Sequence, residues 1–396
     1  MTRYSSRTVE PLVVAVVAVV FVATAHAARG QPEGYPSAEA VRTRLLDLAA
    51  SKPEICRAVD LTVRYGQDPT HQGRHLHALK ISANAGEDED EPALLFVAAH
   101  HGDEFVTVAT ALHGAEMLVG GYGEDEAITA LLDTTEVWVA PVWNPDGYSA
   151  GTRVNGRVNG DGTVGVDLNR NYPFGFGECG GSAEPGRGTF HGPEAASEPE
   201  TRTMIAFAQD RRFAIVHDAH AGAFDLRFGY GCGAGHPWRE MYGDMAAQII
   251  ETTGLPLPPR SSCCLAGDIH LHMSTTLSTC FLWELGKKSA PLRPARKQAE
   301  HVWRGVLLSF GSINLSGHVI DGETGAPLSV RIEVVEGGFE RGEHGTSNVR
   351  FGRFDLVMPD GAHELRFSAS GYEPTTEVAV IREGEHAKLQ VVLFPR

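Results

Sequence analysis

Four short runs in the first three quarters of the chain are apolar at every position: 94–99 (LLFVAA), 137–142 (VWVAPV), 213–216 (FAIV) and 280–283 (CFLW). A strand covered on both faces needs no polar side, so these runs predict buried strands. Between them apolar residues recur at helical spacing. One predicted helix covers 38–50, with Val41, Leu45 and Leu48 on one face. Another opens at Ser197-Glu198-Pro199-Glu200, where Ser197 and Glu200 stand at capping-box spacing. Two more cover about 240–253 and 295–310, ended by Gly254 and Gly311. Strands and helices in alternation predict an α/β fold, a mixed, mostly parallel sheet flanked by helices. After Asn314 the period changes to two: Val330, Ile332 and Val334, then Leu365, Phe367 and Ala369, then Leu389, Val391 and Leu393. Residues 314–396 therefore predict a separate all-β sandwich.

The first residues follow a different pattern. Arg3 and Arg7 precede an apolar run at 11–25, and Ala25-His26-Ala27 supplies a small-x-small cleavage pattern. The run falls short of the ~20 residues that span a bilayer, so 1–27 is expected to be a cleaved signal peptide rather than an anchor. The mature chain would then be secreted or periplasmic, without a membrane span. All six cysteines lie beyond the leader, and no CxxC pair occurs. Export favours disulfides for some of them over a zinc-thiolate site. With 50 acidic against 34 basic residues, the net charge is −16, which argues against nucleic acid as a partner. The acidic run 87–91 is expected to be a solvated loop.

In open α/β sheets ligands bind beyond the carboxyl ends of the strands. The first predicted strand leads to His100-His101-Gly102-Asp103-Glu104, the second to Trp143-Asn144-Pro145-Asp146-Gly147, the third to His217-Asp218-Ala219-His220 and the fourth to Glu284. A histidine and a glutamate three apart across a turn can reach one cation, and a distant second histidine completes a His₂Glu set. Such a set leaves zinc's fourth position open for water. On spacing alone His100 competes with His101, and His217 with His220.

His101-Gly102-Asp103-Glu104 resembles the HxxE motif of zinc metallocarboxypeptidases of the funnelin (M14, carboxypeptidase A/B and N/E) family. Asn144-Pro145-Asp146-Gly147-Tyr148 is similar to its NPDGY segment, and 159–172, with Gly165-Val166-Asp167-Leu168-Asn169-Arg170-Asn171, to its bacterial GVDLNRN form. Gly73-Arg74 with His77-Ala78-Leu79-Lys80, Ser197-Glu198-Pro199-Glu200-Thr201 and Trp283-Glu284-Leu285-Gly286 fit as well. The resemblance runs from Tyr35 to about residue 310 and implies a catalytic domain at 35–311. Residues 314–396 resemble the transthyretin-like (carboxypeptidase regulatory-like) domain of the N/E branch.

That resemblance implies one Zn²⁺ per chain, held by His101, Glu104 and His220. Asp167 would orient a ligand histidine, or merely form a turn. Glu284 would activate the zinc-bound water as general base, and Arg153 would stabilise the oxyanion, with Arg157 its rival in a repeated Arg-Val-Asn-Gly. Asn169 and Arg170 would hold the terminal carboxylate of a peptide or protein substrate. Ile269 falls at a side-chain-pocket position that is often acidic in basic-specific members, which implies an apolar or neutral side chain over Lys or Arg. The family's mobile substrate-binding tyrosine is missing: Ser262 occupies its position, and no tyrosine occurs between Tyr242 and Tyr372. His270 and His272 are candidate replacements. No propeptide is recognisable before Tyr35, so an enzyme made active is expected, and a monomer is favoured. Removal of C-terminal residues from peptides is the leading expectation. A zinc amidase or peptidoglycan peptidase on the same fold, and a non-catalytic peptide-binding protein, are the alternatives.

Overall fold

The computed structural model describes residues 31–229, 235–261, 268–335, 337–339 and 341–396. The expected leader 1–27, Ser262, Cys232, Cys263 and Cys264 lie outside the described residues, as does the side chain of His270. One sheet contains β1 (Cys56–Asp60), β2 (His77–Ile81), β3 (Ala93–Ala98), β4 (Glu136–Ala140), β5 (Ile215–His220), β6 (Phe224–Phe228), β7 (Pro259–Ser261) and β8 (Thr279–Leu285). Their order is β1-β2-β4-β3-β5-β8-β6-β7, with β4, β3, β5 and β8 parallel at the centre and antiparallel pairings on either side.

Side chains alternate across this sheet as the pleat requires. Leu94, Phe96, Val137 and Val139 enter one core, under α1 (Ala38–Ser51), α3 (Phe105–Gly121), α7 (Arg239–Thr253) and α9 (Leu292–Phe310). Leu95, Val97 and Trp138 enter the other, under α2 (Leu61–Arg64), α6 (Pro199–Arg211) and α8 (Ile269–Ser274). The apolar runs are apolar throughout because both faces are covered. Two short helices, α4 (Glu126–Leu132) and α5 (Pro145–Ala150), complete this unit.

The C-terminal region forms two sheets, β11-β10-β13-β14 and β12-β9-β15. Their strands are β9 (Leu315–Asp321), β10 (Arg331–Val334), β11 (Gly345–Thr346), β12 (Arg353–Leu356), β13 (Gly361–Ser368), β14 (Thr375–Ile381) and β15 (Ala387–Leu393). Leu315, Val319, Ile332, Phe354, Leu365, Phe367 and Val391 fill the space between them.

Two local expectations are corrected. The capping box is absent: Glu198 is the N-cap of α6 and makes no side-chain cap bond. Ser197 Oγ instead donates to Glu198 at 2.7 Å and accepts from Asn171 at 2.9 Å. The acidic run 87–91 is not a free loop but a docking strip. Asp88 pairs with Arg211 and, from the β domain, Arg350, both within 3 Å, while Asp90 meets His318 and Arg353 of that domain. Of the described cysteines, Cys179 is disulfide-bonded, whereas Cys56 and Cys280 are free thiols buried in the cores.

Candidate active site

The carboxyl ends of β3, β5 and β8 lie side by side, and the ligand candidates come from them. After β3, Ala99 takes a left-handed φ of 54°, a sparsely populated conformation that turns the chain sharply into His100-His101. Gly102 then passes so close to α5 that a Cβ there would lie 2.0 Å from the Gly147 carbonyl carbon. Asn144 fastens the same junction: its Oδ1 accepts from Gly147 N, and its Nδ2 donates to the carbonyls of His100 and Arg153. This accounts physically for the Asn-Pro-Asp-Gly segment, which holds the metal turn from behind.

His101 Nδ1 lies 2.9 Å from Glu104 Oε1 and 3.1 Å from His220 Nδ1, which is itself 3.1 Å from Glu104 Oε2. All three side chains are buried, and their donor atoms fall within 4.8 Å of one another. Two imidazole nitrogens and a carboxylate oxygen converging on one point are the donor set that zinc takes, so the residues fit the ion. The outward nitrogens are each matched to a carboxylate, His101 Nε2 to Asp167 Oδ1 at 3.2 Å and His220 Nε2 to Asp218 Oδ2 at 2.7 Å. A carboxylate at each outer nitrogen holds the ring so that its inner nitrogen faces the centre. Burial works to raise the Glu104 carboxyl, but His101 and His220 hold it well below the usual range. Burial works to lower His220, while Asp218 and Glu104 hold it well above the usual histidine range.

The rivals are arranged differently. A second group, His100, Asp218 and His220, also lies within metal-binding reach. His100, however, is engaged at both nitrogens, with Asp218 Oδ1 and Tyr172 Oη, each at 3.0 Å. His217 points to the opposite face of β5, between Ser309 Oγ and Trp283 Nε1, and burial pulls it down to about 3. Arg157 pairs with buried Glu198 at 2.9 Å. Arg153 reaches the centre instead. Its Nη1 is 3.2 Å from His101 Nδ1, and Nη2 is 2.7 Å from Asp167 Oδ2. Asp167 also caps the turn at 168–170 through Asn169 N, so it both orients a histidine and forms the turn. Burial pushes its carboxyl up, but Arg153 and His101 hold it well below the usual range.

Asn169 is tied in from both sides: Oδ1 accepts from Ile269 N at 3.0 Å, and Nδ2 lies 3.2 Å from His220 Nε2. Arg170 is buried, bonds the carbonyls of Asn169 and Gly180, and makes no ion pair among the described residues. A buried guanidinium without an anion is a cradle for one. Ile269 keeps its side chain fully buried among Leu168, Tyr172 and Met273. His272 packs on Tyr172 with rings 5.6 Å apart and lines the cleft toward the β domain, where burial lowers it to about 4. Glu284, in register with His220, accepts from Ala223 N at 3.0 Å and lies 3.2 Å from Arg227 Nη1.

Two residues beside the centre were not anticipated from sequence. Asp218 was legible, because positions 218 and 220 of a strand share a face. Arg227 had no local signal, since it arrives by antiparallel pairing of β6 with β8.

The pattern that defines the zinc carboxypeptidase family matches residues 42–251, more than half of the chain. Carboxypeptidase A2 of Rattus norvegicus is 31% identical over 232 residues, covering 55% of this chain and 53% of that protein. Carboxypeptidase A1 of Homo sapiens is 33% identical over 159 residues, 37% of each. The chain thus spans about half the length, or less, of the curated relatives it matches. Among solved structures, carboxypeptidase A from Helicoverpa armigera superposes with a TM-score of 0.62 at 22% identity, over 70% of this chain and 72% of that one. Thrombin activatable fibrinolysis inhibitor does so with a TM-score of 0.63 at 19% identity, over 70% and 74%. These two likenesses establish the fold. With the family pattern matched across most of the sheet and its helices, the chain belongs to the zinc carboxypeptidase family.

Proposed function

We propose that the chain is an exported zinc metallocarboxypeptidase that hydrolyses the C-terminal peptide bond of peptides. The observation that carries this reading is the convergence of His101, Glu104 and His220, with Arg153 Nη1 3.2 Å from His101 Nδ1 and with Arg170, which has no ion pair among the described residues, bonded to the carbonyl of Asn169 next to His220. Zinc, when bound, supplies a Lewis acid and lowers the pKa of a water toward ~7. With the metal in place, Glu284 would take a proton from the attacking water and deliver it to the departing amine. Arg153, braced by Asp167, donates to the scissile carbonyl oxygen as negative charge builds there. Asn169 and Arg170 hold the substrate's terminal carboxylate, which limits the cut to the last residue. Ile269 supports Asn169 through its amide. The leader 1–27 supplies export, and the transthyretin-like sandwich serves as a docked companion joined through Asp88 and Asp90.

E284Q tests the role of the base. The variant is expected to keep one zinc per chain and to lose about 10²- to 10⁴-fold in kcat. Undiminished turnover with zinc in place would remove Glu284 from the reaction.

A further inference from the structure

Arg227 stands beside the general base with no part in the reaction above. It lies on β6, where the register sets Asp225 opposite Glu284 and Arg227 opposite Leu282. Cross-strand partners share a face, so these four side chains project together. Their alternates Leu226, Phe228, Trp283 and Leu285 enter the core on the other side of the sheet. The face they share is the one α8 covers, where Cys280 packs with Ile269 and Leu168. Along β8 on this face, buried Leu282 lies between Cys280 and Glu284. The ground beside Asn169 and Glu284 is therefore floored by Leu282 and edged by a guanidinium.

That guanidinium has two distinct edges. One is anchored, with Nε 2.8 Å from Oδ1 of buried Asp225, itself steadied by Arg260 at 3.2 Å. The other edge turns Nη1 toward Glu284 Oε1 at 3.2 Å, and the side chain remains 23% exposed. A permanent pair would leave Glu284 Oε1 occupied and so oppose the proton transfer assigned to Glu284. Asp225 can keep Arg227 in place while its outer edge changes partner. An arginine fork is matched to a carboxylate. On the reading of a carboxypeptidase given above, the terminal carboxylate belongs to Asn169 and Arg170. The anion left for Arg227 is a second one, carried on the side chain of the residue to be removed.

We propose that Arg227 is the specificity-determining residue and that the preferred substrates are peptides ending in Glu or Asp. Binding of such a side chain takes the outer edge of Arg227 from Glu284 and frees the base when substrate arrives. This preference departs from the expectation, drawn from Ile269, of an apolar or neutral terminal residue. Ile269 is fully buried, whereas Arg227 keeps an accessible edge.

The test measures kcat/KM of the zinc-loaded chain on peptides identical except for a last residue of Glu, Gln, Leu, Phe or Lys. Glu and Gln have the same shape and differ in charge. The wild type is expected to favour Glu over Gln by at least about 10-fold. R227Q should bring that ratio to within about twofold of one, and R227K, which keeps the charge but not the fork, should retain part of it. The ratio is internal to each variant, so a general loss of rate through Glu284 does not move it. A wild-type ratio near one, a preference for Leu or Phe, or a ratio that survives R227Q overturns the proposal. Release from every peptide at similar rates overturns the specificity alone, while release from none overturns the carboxypeptidase reading with it.

Discussion

Replacing Asp167 by Asn removes one negative charge from the middle of the centre and leaves its outline unchanged. The carboxylate is fully buried and takes Arg153 Nη2 at 2.7 Å and Nε at 3.0 Å on one oxygen, with His101 Nε2 and the Asn169 amide on the other. Asparagine offers a single acceptor oxygen, so either Arg153 or His101 faces an NH₂ group. Removing one partner from a buried ion pair costs about 3–5 kcal/mol. The Arg153 side chain is 27% exposed and also bonds the Gly188 carbonyl, so we expect a loss somewhat below that range, about 2–3 kcal/mol of stability. A partner that orients a ligand histidine is worth about 10- to 100-fold in metal affinity, or about 1.4–2.7 kcal/mol. Zinc affinity of D167N, by competition with a chelator, should fall within that range, and urea denaturation should show the stability loss. Affinity within about twofold of wild type would refute the orienting role and leave Asp167 as a turn former.

Other consequences can be measured on the same material. G102A should lower Tm sharply, by an overpacking penalty of about 1–3 kcal/mol or more, because its Cβ would meet the Gly147 and Tyr148 backbone at 2.0–2.1 Å; an unchanged Tm would separate the metal turn from α5. Burial works to raise Asp88, but Arg211, Arg64 and Arg350 hold it at about 2, against an ordinary 3.8. Its contribution is therefore present above pH ~4 and lost as pH falls toward 2. D88N should lower Tm at pH 7 by about 2–4 °C and flatten the pH dependence of Tm in that acid window, and identical profiles would deny the strip a docking role. Removing metal with a chelator should abolish turnover, and one equivalent of Zn²⁺ per chain should restore it; activity in the metal-free protein would contradict the His101–Glu104–His220 assignment.

Much of this was legible because buried parallel strands advertise themselves as uninterrupted apolar runs. The run 94–99 is seen as Ala93–Ala98, and 280–283 extends to Thr279–Leu285, which takes Glu284 into the strand itself. The 17-residue helix Phe105–Gly121 was not predicted, since it is apolar or small almost all round and has no polar stripe to mark a period. Edge strands such as Cys56–Asp60 were missed for the opposite reason, having only partial burial to write into sequence. Motif resemblance supplied His101, Glu104 and His220, which β3 and β5 bring together. The ion pairs of Asp88 and Asp90, and that of Arg227 with Glu284, join segments distant in sequence. Local composition could not anticipate them.

The most direct test of the central claim uses the zinc-loaded chain, without residues 1–27, on a peptide library made with both free and amidated C-termini, read by mass spectrometry. Loss of single terminal residues from the free peptides alone is the predicted result, because Asn169 and Arg170 need a carboxylate. Cleavage of amidated peptides at equal rates, or internal cuts, would contradict it.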